Sequence, residues 1–523
     1  MILDFDKFDG ALASPRVLVV GAGAAGIVLA VALARRGVDV LLCEAGGRSV
    51  EPASQALNDA VLRGRRHAGI AEGRGRLLGG TTTLWGGQLI SFREIDFRAR
   101  PWLGLDAWPI TRGDVAPYYE AVATMLGLPV RGDDDALVWE ALGLTRPELG
   151  TDVEFVLTRW LKEANLARAF RSDLEMNPKL TVLLHATATS FVPGADSAIR
   201  AVTLRSPGGR SVAVEADHVV VATGTIEASR LMLAAAQQDT TLPWANNPHV
   251  GAAFQDHLDV RAAEVTVLDR KRFSNTFDNI FLKGFKYNPK VVLAPHVQEA
   301  AGITNVGAVF TFESSLTEHL SNLKIFLRAM RNGAVPPNLR AMPAHLKALA
   351  KIWWPLIRRY LRDNRAFNPA DLGISLRLHC EQKPIARSRI TLDSARTDAN
   401  GMPLAVLDWQ IDGIEVEAMA ICCERVATAL AERGLARLEI DPRILARDPA
   451  ILDDARDTNH HCGGLRMAAS PRDGVVDADC RVHGTKNLYV AGAAVYPSSS
   501  FANPTFTAMA LALRLADRIA GQA

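Results

Sequence analysis

RVLVVGAGAAGIVLAVALARRGVDVLLCEAGG, residues 16 to 47, decides the fold. RVLVV is an unbroken aliphatic run of the kind that parallel sheets bury on both faces. GAGAAG follows as a turn, Ile27 to Arg35 as a helix stopped by Gly37, and VDVLLCE as the next strand. Glycines at this spacing meet the dinucleotide fingerprint. Gly21 makes the tight turn, Gly23 lets the backbone approach a pyrophosphate, and Gly26 permits close helix packing. Glu44, at the end of the second strand, can hold the hydroxyl pair of an adenosine ribose and so disfavours a phosphorylated one.

The totals frame this unit. At 523 residues the chain is too long for one ordinary core, so two domains are expected. It is 48% apolar and 22% charged, as in a globular enzyme, and a formal charge of +2 gives no case for nucleic-acid binding. Six scattered cysteines, with no CxxC pair at metal-ligand spacing, fit a reducing compartment and predict no metal site. The first residues, MILDFDKFDGALASPR, lack a basic segment followed by an apolar run, and no apolar stretch reaches the roughly 18 residues of a membrane span. A cytoplasmic location follows as the expectation.

Outward from the fingerprint, GRGRLLGGTTTLWGGQLI (73 to 90) combines glycines and threonines with Leu77, Leu78, Leu84 and Trp85. Its glycines oppose regular structure, and its apolar residues oppose a water-exposed loop. A loop packed along a bound ligand satisfies both. A helix is expected from about Arg112. TVLLHATATSFV and RAVTLRSPGGRSVAVEADHVVVATG read as hairpin strands, the last run being a buried strand followed by a helix, TIEASRLMLAAA. From 259 to 454 the pattern changes. VRAAEVTVL, GFKYNPKVVLA and ISLRLHCEQKPIARSRITL predict strands of a separate sheet, covered by helices from Leu316 to Arg331 and Ile414 to Arg433. The expected architecture is α/β: a Rossmann-like domain of segments 14–92, 165–258 and 455–523, interleaved with an α+β substrate domain of 93–164 and 259–454 on an antiparallel sheet.

Within that domain, about 316–365 is expected to be a basic helical insertion. Residues 321 to 365 hold ten Lys and Arg against one acid, Asp363. Leu339, Met342, Leu346, Leu349, Trp353, Leu356 and Tyr360 recur at helical spacing, with Pro343 and Pro355 expected to kink or split the helix. A lid packed on its own protein and an interfacial helix touching anionic lipid or an acidic partner both fit this pattern.

The last sixty residues place His460 in NHHCGGLRM, a strand from Asn487 to Val490, a turn at Gly492, and Asn503 at the mouth of a closing helix that runs to about Ile519. GAGAAG with EAGG, GRGRLLGGTTTLWGG, VVVATGTIEASRLML, VGAAFQDHL, HHCGGLRM and NLYVAGAAVYPSSSFANPTFTAMALALRLADRI stand in the order found in the glucose–methanol–choline (GMC) family of FAD oxidoreductases, which the chain resembles over nearly its whole length. The nearest likeness is to the pyranose-oxidase and bacterial sugar-dehydrogenase branch. The resemblance implies FAD as cofactor and a carbohydrate-like alcohol as substrate. It makes His460 the catalytic base and Asn503 its partner. Cofactor contacts are implied at Ala24, Ala25 and Ala45; at Arg76, Gly79, Gly80, Thr81, Thr83, Leu84, Trp85 and Gly86; at Ala222, Thr223 and Gly224; and at Gly492, Ala493, Asn503, Pro504 and Thr505. His461 is expected to pack and His257 to be structural.

Two positions depart from the family pattern. Leu84 stands where some members link FAD covalently through histidine, so FAD is expected to be non-covalent. Gly464 stands where Thr is usual. No residue selects oxygen, a quinone or a carrier protein as electron acceptor. The alternatives to an alcohol oxidoreductase are a flavin lyase on the same scaffold and a flavin-binding subunit of a larger membrane-associated complex.

Overall fold

The computed structural model describes residues 1–10, 12–129, 135–331, 335–336 and 339–521. A six-stranded, all-parallel sheet runs in the order Ile2–Asp4, Leu180–Leu184, Val40–Cys43, Val17–Val20, His218–Val221, Leu488–Val490. Val17–Val20 and Val40–Cys43 are buried at every position, which explains why they carry no alternation of apolar and polar residues. Helix Ala24–Arg35 follows the first of these strands and packs against the closing helix Thr505–Gly521, which also packs on Arg112–Met125. The turn between them admits only glycine at two points. Gly21 has φ +104°, and a Cβ on Gly26 would collide with the Gly21 carbonyl oxygen.

Three antiparallel strands, Thr187–Pro193, Ile199–Arg205 and Ser211–Glu215, form the expected hairpins. The run before them does not join that meander. Leu180–Leu184 pairs in parallel with Val40–Cys43 and Ile2–Asp4, because its buried aliphatic residues fit the centre of a parallel sheet.

A nine-stranded antiparallel sheet carries the second core. Leu258–Val267, Gly373–Cys380, Val306–Glu313, Phe285–Leu293 and Val153–Trp160 are its principal strands, and Ile414–Glu432 packs on it. Strand Arg389–Thr397, expected in that sheet, lies elsewhere. It joins a five-stranded sheet of Cys462–Gly464, Ala252–Gln255, Arg389–Thr397, Pro403–Trp409 and Ala60–Gly64. The turn KPIARS (383–388) lets the chain leave one sheet and enter the other, a topological step with no local signature. This sheet takes strands from segments on both sides of the expected domain division, and so joins the Cys462–Gly464 strand that follows His460 to strands of both.

The basic segment is helical at Thr317–Arg331, Met342–Leu349 and Trp353–Asp363. Pro343 lies in the first turn of the second helix and Pro355 in that of the third, where a missing N–H costs nothing. The prolines therefore start helices rather than kink one. Residues 332–334 and 337–338 of the segment lie outside the described residues. Among the described residues, no helix is long and apolar enough to cross a membrane.

Candidate active site

A cavity of about 550 Å³ opens over the first helix, between the 73–86 loop, the 222–225 turn and the start of the closing helix. Gly21, Gly23, Ala24, Ala25, Glu44, Ala45, Arg76, Gly80, Thr81, Leu84, Trp85, Gly86, Ala222, Thr223, Gly224, Gly492, Ala493, Pro504 and Thr505 line it. Asn503, His460 and His461 do so as well. Gly26, Gly79 and Thr83 stand behind the wall. Gly26 lets helix and turn touch, Gly79 turns at φ +101°, and the Thr83 hydroxyl donates to the Gly80 carbonyl.

The wall fits a flavin dinucleotide. A Cβ at Gly23 would meet open space, and the helix that starts there has no side-chain cap, so its first N–H groups are free for a pyrophosphate. Glu44 is buried where its two oxygens accept the N–H groups of Ala22 and Gly46, each at 3.0 Å. Burial outweighs those two bonds and raises its pKa, a penalty that hydroxyl donors from a ribose would relieve. The Thr223 hydroxyl is buried without a partner on the same wall. Arg76 is partly committed elsewhere. It bonds Glu227 at 2.6 Å within a buried cluster of cavity-lining residues that includes Arg74 and Arg230, which lie in the GRGRLLGG and TIEASRLML stretches, and Asp398, which lies in no quoted motif.

Deeper in the cleft, His460 lies between Asn503 and a set of anchors contributed by distant segments. Its Nε2 is 2.8 Å from Asn503 Nδ2, and its Nδ1 is 2.8 Å from Thr458 Oγ1 and 3.0 Å from His257 Nδ1. The proton positions follow from the partners. Thr458 gives its hydroxyl proton to Asp256 Oδ1 at 3.0 Å, so its oxygen accepts from His460. His257 Nε2 faces the Ser499 carbonyl at 3.3 Å and must carry a proton, which leaves its Nδ1 as an acceptor too. His460 is therefore protonated on Nδ1, and its Nε2 lone pair faces the Asn503 amide. Asn503 Oδ1 is buried with no partner.

Asp256 is the keystone. Fully buried, it accepts the backbone N–H groups of His257 at 2.7 Å and His460 at 2.9 Å, besides Thr458 and the His67 ring at 3.1 Å. These donors hold it ionised well below the usual carboxylate range although burial opposes them. His67, Asp256 and His461 bring potential metal-ligating atoms within 4.8 Å of one another. His67 Nδ1 accepts the Ile70 N–H, so its Nε2 proton points at Asp256, and the pair is a hydrogen bond rather than a ligand set. Burial, with a smaller push from the neighbouring His257, takes His460 down to about 3. Burial takes His461 to about 3 as well; its Nε2 makes no hydrogen bond and lies 3.7 Å from Asp256 Oδ2.

The structure thus brings together His460 and Asn503, and adds Asp256, His257, Thr458 and His67. His257 touches His460 directly. QDHL carried a signal, an acid and a histidine side by side, but nothing in it points 203 residues ahead to its partner.

This fold and cleft define an FAD-dependent oxidoreductase. Residues 16–276 match the family model described as FAD dependent oxidoreductase, and residues 384–512 match that of GMC oxidoreductase. The chain belongs to the glucose–methanol–choline family. It is 26% identical to paromamine 6'-oxidase of Streptomyces fradiae, over 97% of this chain and 91% of that one. It is 24% identical to 6'''-hydroxyparomomycin C oxidase of Streptomyces lividus, over 96% and 91%. Among solved structures, pyridoxine 4-oxidase from Mesorbium loti shares the fold, with a TM-score of 0.57 and 18% identity over 96% of this chain and 99% of that one.

Proposed function

We propose that the enzyme oxidises a secondary hydroxyl of a sugar, glycoside or cyclitol to the carbonyl, with His460 as base and Asn503 as the group that holds the substrate oxygen. The observation that carries this reading is the pairing of an unprotonated His460 Nε2 with an unpartnered Asn503 Oδ1 on one wall of the cofactor cleft. Bound FAD supplies the acceptor for the hydride that leaves the alcohol carbon. Glu44 would hold its ribose, the first turn after Gly23 its pyrophosphate, and the 79–86 loop with residues 492–493 and 503–505 its flavin. Leu84 has no nucleophilic atom to form a link, so the cofactor is held without a covalent bond.

The chain's own residues handle the proton. An incoming hydroxyl replaces the Asn503 N–H as donor to His460 Nε2, and the freed amide turns to the substrate oxygen. Nε2 takes the O–H proton as the C–H bond breaks, leaving a carbonyl. The imidazolium formed then has Nδ1–H donating to Thr458, whose hydroxyl points at the Asp256 carboxylate, so the new charge faces a fixed anion along two hydrogen bonds. A neutral imidazole at physiological pH keeps this base ready without prior deprotonation. The carbohydrate class draws support from the two Streptomyces relatives, a paromamine 6'-oxidase and a 6'''-hydroxyparomomycin C oxidase.

The test is an anaerobic screen of sugars, glycosides, cyclitols and simple alcohols, read as loss of the oxidised flavin absorbance. His460→Ala should keep its FAD and lose about 10²- to 10⁴-fold in the rate of bleaching. Bleaching by simple alcohols alone would sink the carbohydrate reading, and an unimpaired His460→Ala would sink the base.

A further inference from the structure

The helix Trp353–Asp363 is built inside out. Trp354 and Leu361 are each 72% exposed and Ile357 is 44% exposed, and their spacing of three and four puts them on one outward face. Arg359 points the other way, to Asp278 at 2.7 Å and to Asp363. An ordinary surface helix shows the reverse arrangement, charge outward and apolar groups inward. Arg358 and Arg362 flank the apolar stripe, are exposed, and form no ion pair with any described residue. Lys347 and Lys351, also exposed, continue the basic rim along the preceding turns.

The helix is tied to the part of the molecule that holds the cleft. Tyr360 packs on Phe281 with ring centroids 5.0 Å apart. Phe281 lies opposite Lys286 across the sheet, and Lys286 sits over the ring of Trp160, a cavity-lining residue. The helix that bears the outward stripe therefore packs on the same sheet face as Trp160, a wall residue of the cavity.

We propose that this face docks on an anionic phospholipid membrane, with Trp354 at headgroup level, Ile357 and Leu361 at the acyl boundary, and Arg358 and Arg362 on the lipid phosphates. Charge complementarity selects this occupant. A second copy of the chain would bring the exposed cations Lys347, Lys351, Arg358 and Arg362 onto their own like, which costs rather than stabilises. Nucleic acid would use the cations but has no use for an exposed Trp–Ile–Leu stripe. Both halves of the face, apolar centre and cationic rim, fit an interfacial helix lying in the membrane plane. The surface is peripheral, since no described helix is long and apolar enough to span.

The experiment is co-sedimentation of the intact flavoprotein with vesicles of phosphatidylglycerol and phosphatidylcholine, beside vesicles of phosphatidylcholine alone. Pelleting with the anionic vesicles only, weakened at about 1 M salt where screening acts within about 3 Å, is the expected result. Arg358→Gln with Arg362→Gln should weaken binding about 30-fold, which is about 2 kcal/mol at 1.4 kcal/mol per tenfold. Trp354→Ser with Leu361→Ser should also release the protein while its FAD content and bleaching rate stay those of the wild type. As a measurement independent of those variants, brominated lipid should quench the wild type more than Trp354→Phe. No pelleting at low salt, equal pelleting with neutral vesicles, or binding untouched by both double variants would each overturn the proposal. Retention on a polyglutamate matrix with no vesicle binding would also overturn it, in favour of an acidic protein partner.

Discussion

Lowering the pH from about 7.5 to about 5 should destabilise the folded enzyme through His460 and His461. Burial takes both rings from the ordinary 6.5 down to about 3. In the unfolded chain each takes up a proton as the pH falls through 6.5, whereas in the folded chain neither does until about 3. The unfolded state binds the extra protons, so the contribution to stability is complete above pH 6.5 and is lost progressively as the pH falls from 6.5 towards 3. At 1.36 kcal/mol per pH unit, each ring removes about 2 kcal/mol by about pH 5, and the pair about 4 kcal/mol. That is a large part of a marginal stability of about 5–15 kcal/mol. The informative variant is His461→Gln, which removes a titrating ring whose Nε2 makes no hydrogen bond, although it lies 3.7 Å from Asp256 Oδ2. Urea unfolding of the FAD-saturated protein, followed by flavin and tryptophan fluorescence, should show the variant losing about 2 kcal/mol less than wild type across this pH range. Groups common to both proteins cancel in the difference. These include His185, whose pKa the Asp4 and Glu51 carboxylates raise, so that it works in the opposite sense. Identical pH dependence in the two proteins would refute the claim that His461 is held neutral by burial.

Four further outcomes are expected. Acid precipitation should leave all flavin in the supernatant, because Leu84 cannot form a covalent link; yellow protein pellets would contradict this. Gly26→Ala should cost at least about 3 kcal/mol and abolish FAD retention, since its Cβ has only the Gly21 carbonyl oxygen to move into; absorbance ratios and thermal melts read both effects. Gly464→Thr, which restores the residue usual in the family, should lower the melting temperature here, because the backbone has φ +85° and a Cβ would crowd Ser229 Oγ. Arg100 and Glu381 form a fully buried two-point ion pair at 2.5 and 2.8 Å, and Glu381 also anchors the Ser500 N–H near Asn503. Glu381→Leu should therefore cost about 3–5 kcal/mol, and adding Arg100→Leu should recover part of that loss, as a chemical denaturation cycle would show.

How the site is assembled explains how much of it could be read in advance. Residues whose role depends on neighbours in the chain were legible. Gly21, Gly23 and Gly26 act within one turn, and Glu44 acts at the end of the adjacent strand. That His460 and Asn503 come together was legible in a different way, through motif order and not through spacing, since 43 residues separate them. The anchors of His460 were not legible. Asp256 and His257 come from a strand end in the five-stranded sheet, His67 from a loop beside its parallel edge, and no periodicity links them to NHHCGG. The same holds for strands. VLLHATATSF alternates well enough for a hairpin, but its first half pairs with Val40–Cys43, because a run of buried aliphatics can be satisfied in either kind of sheet.

By itself, then, the sequence determined the dinucleotide-type strand–turn–helix and the family, and it singled out the histidine and the amide proposed here as base and partner. Local backbone geometry demands glycine and an acid at set intervals, and those demands are written in consecutive residues. Tertiary structure alone decided which ring nitrogen of His460 is free. That depends on a chain of hydrogen bonds from Ser499 through His257 and from Asp256 through Thr458, in which each proton position is fixed by the next partner. It also decided that the apolar side of the helix Trp353–Asp363 faces outward. Periodicity defines a stripe, but only packing against Asp278 and Phe281 shows which side of the helix the protein covers.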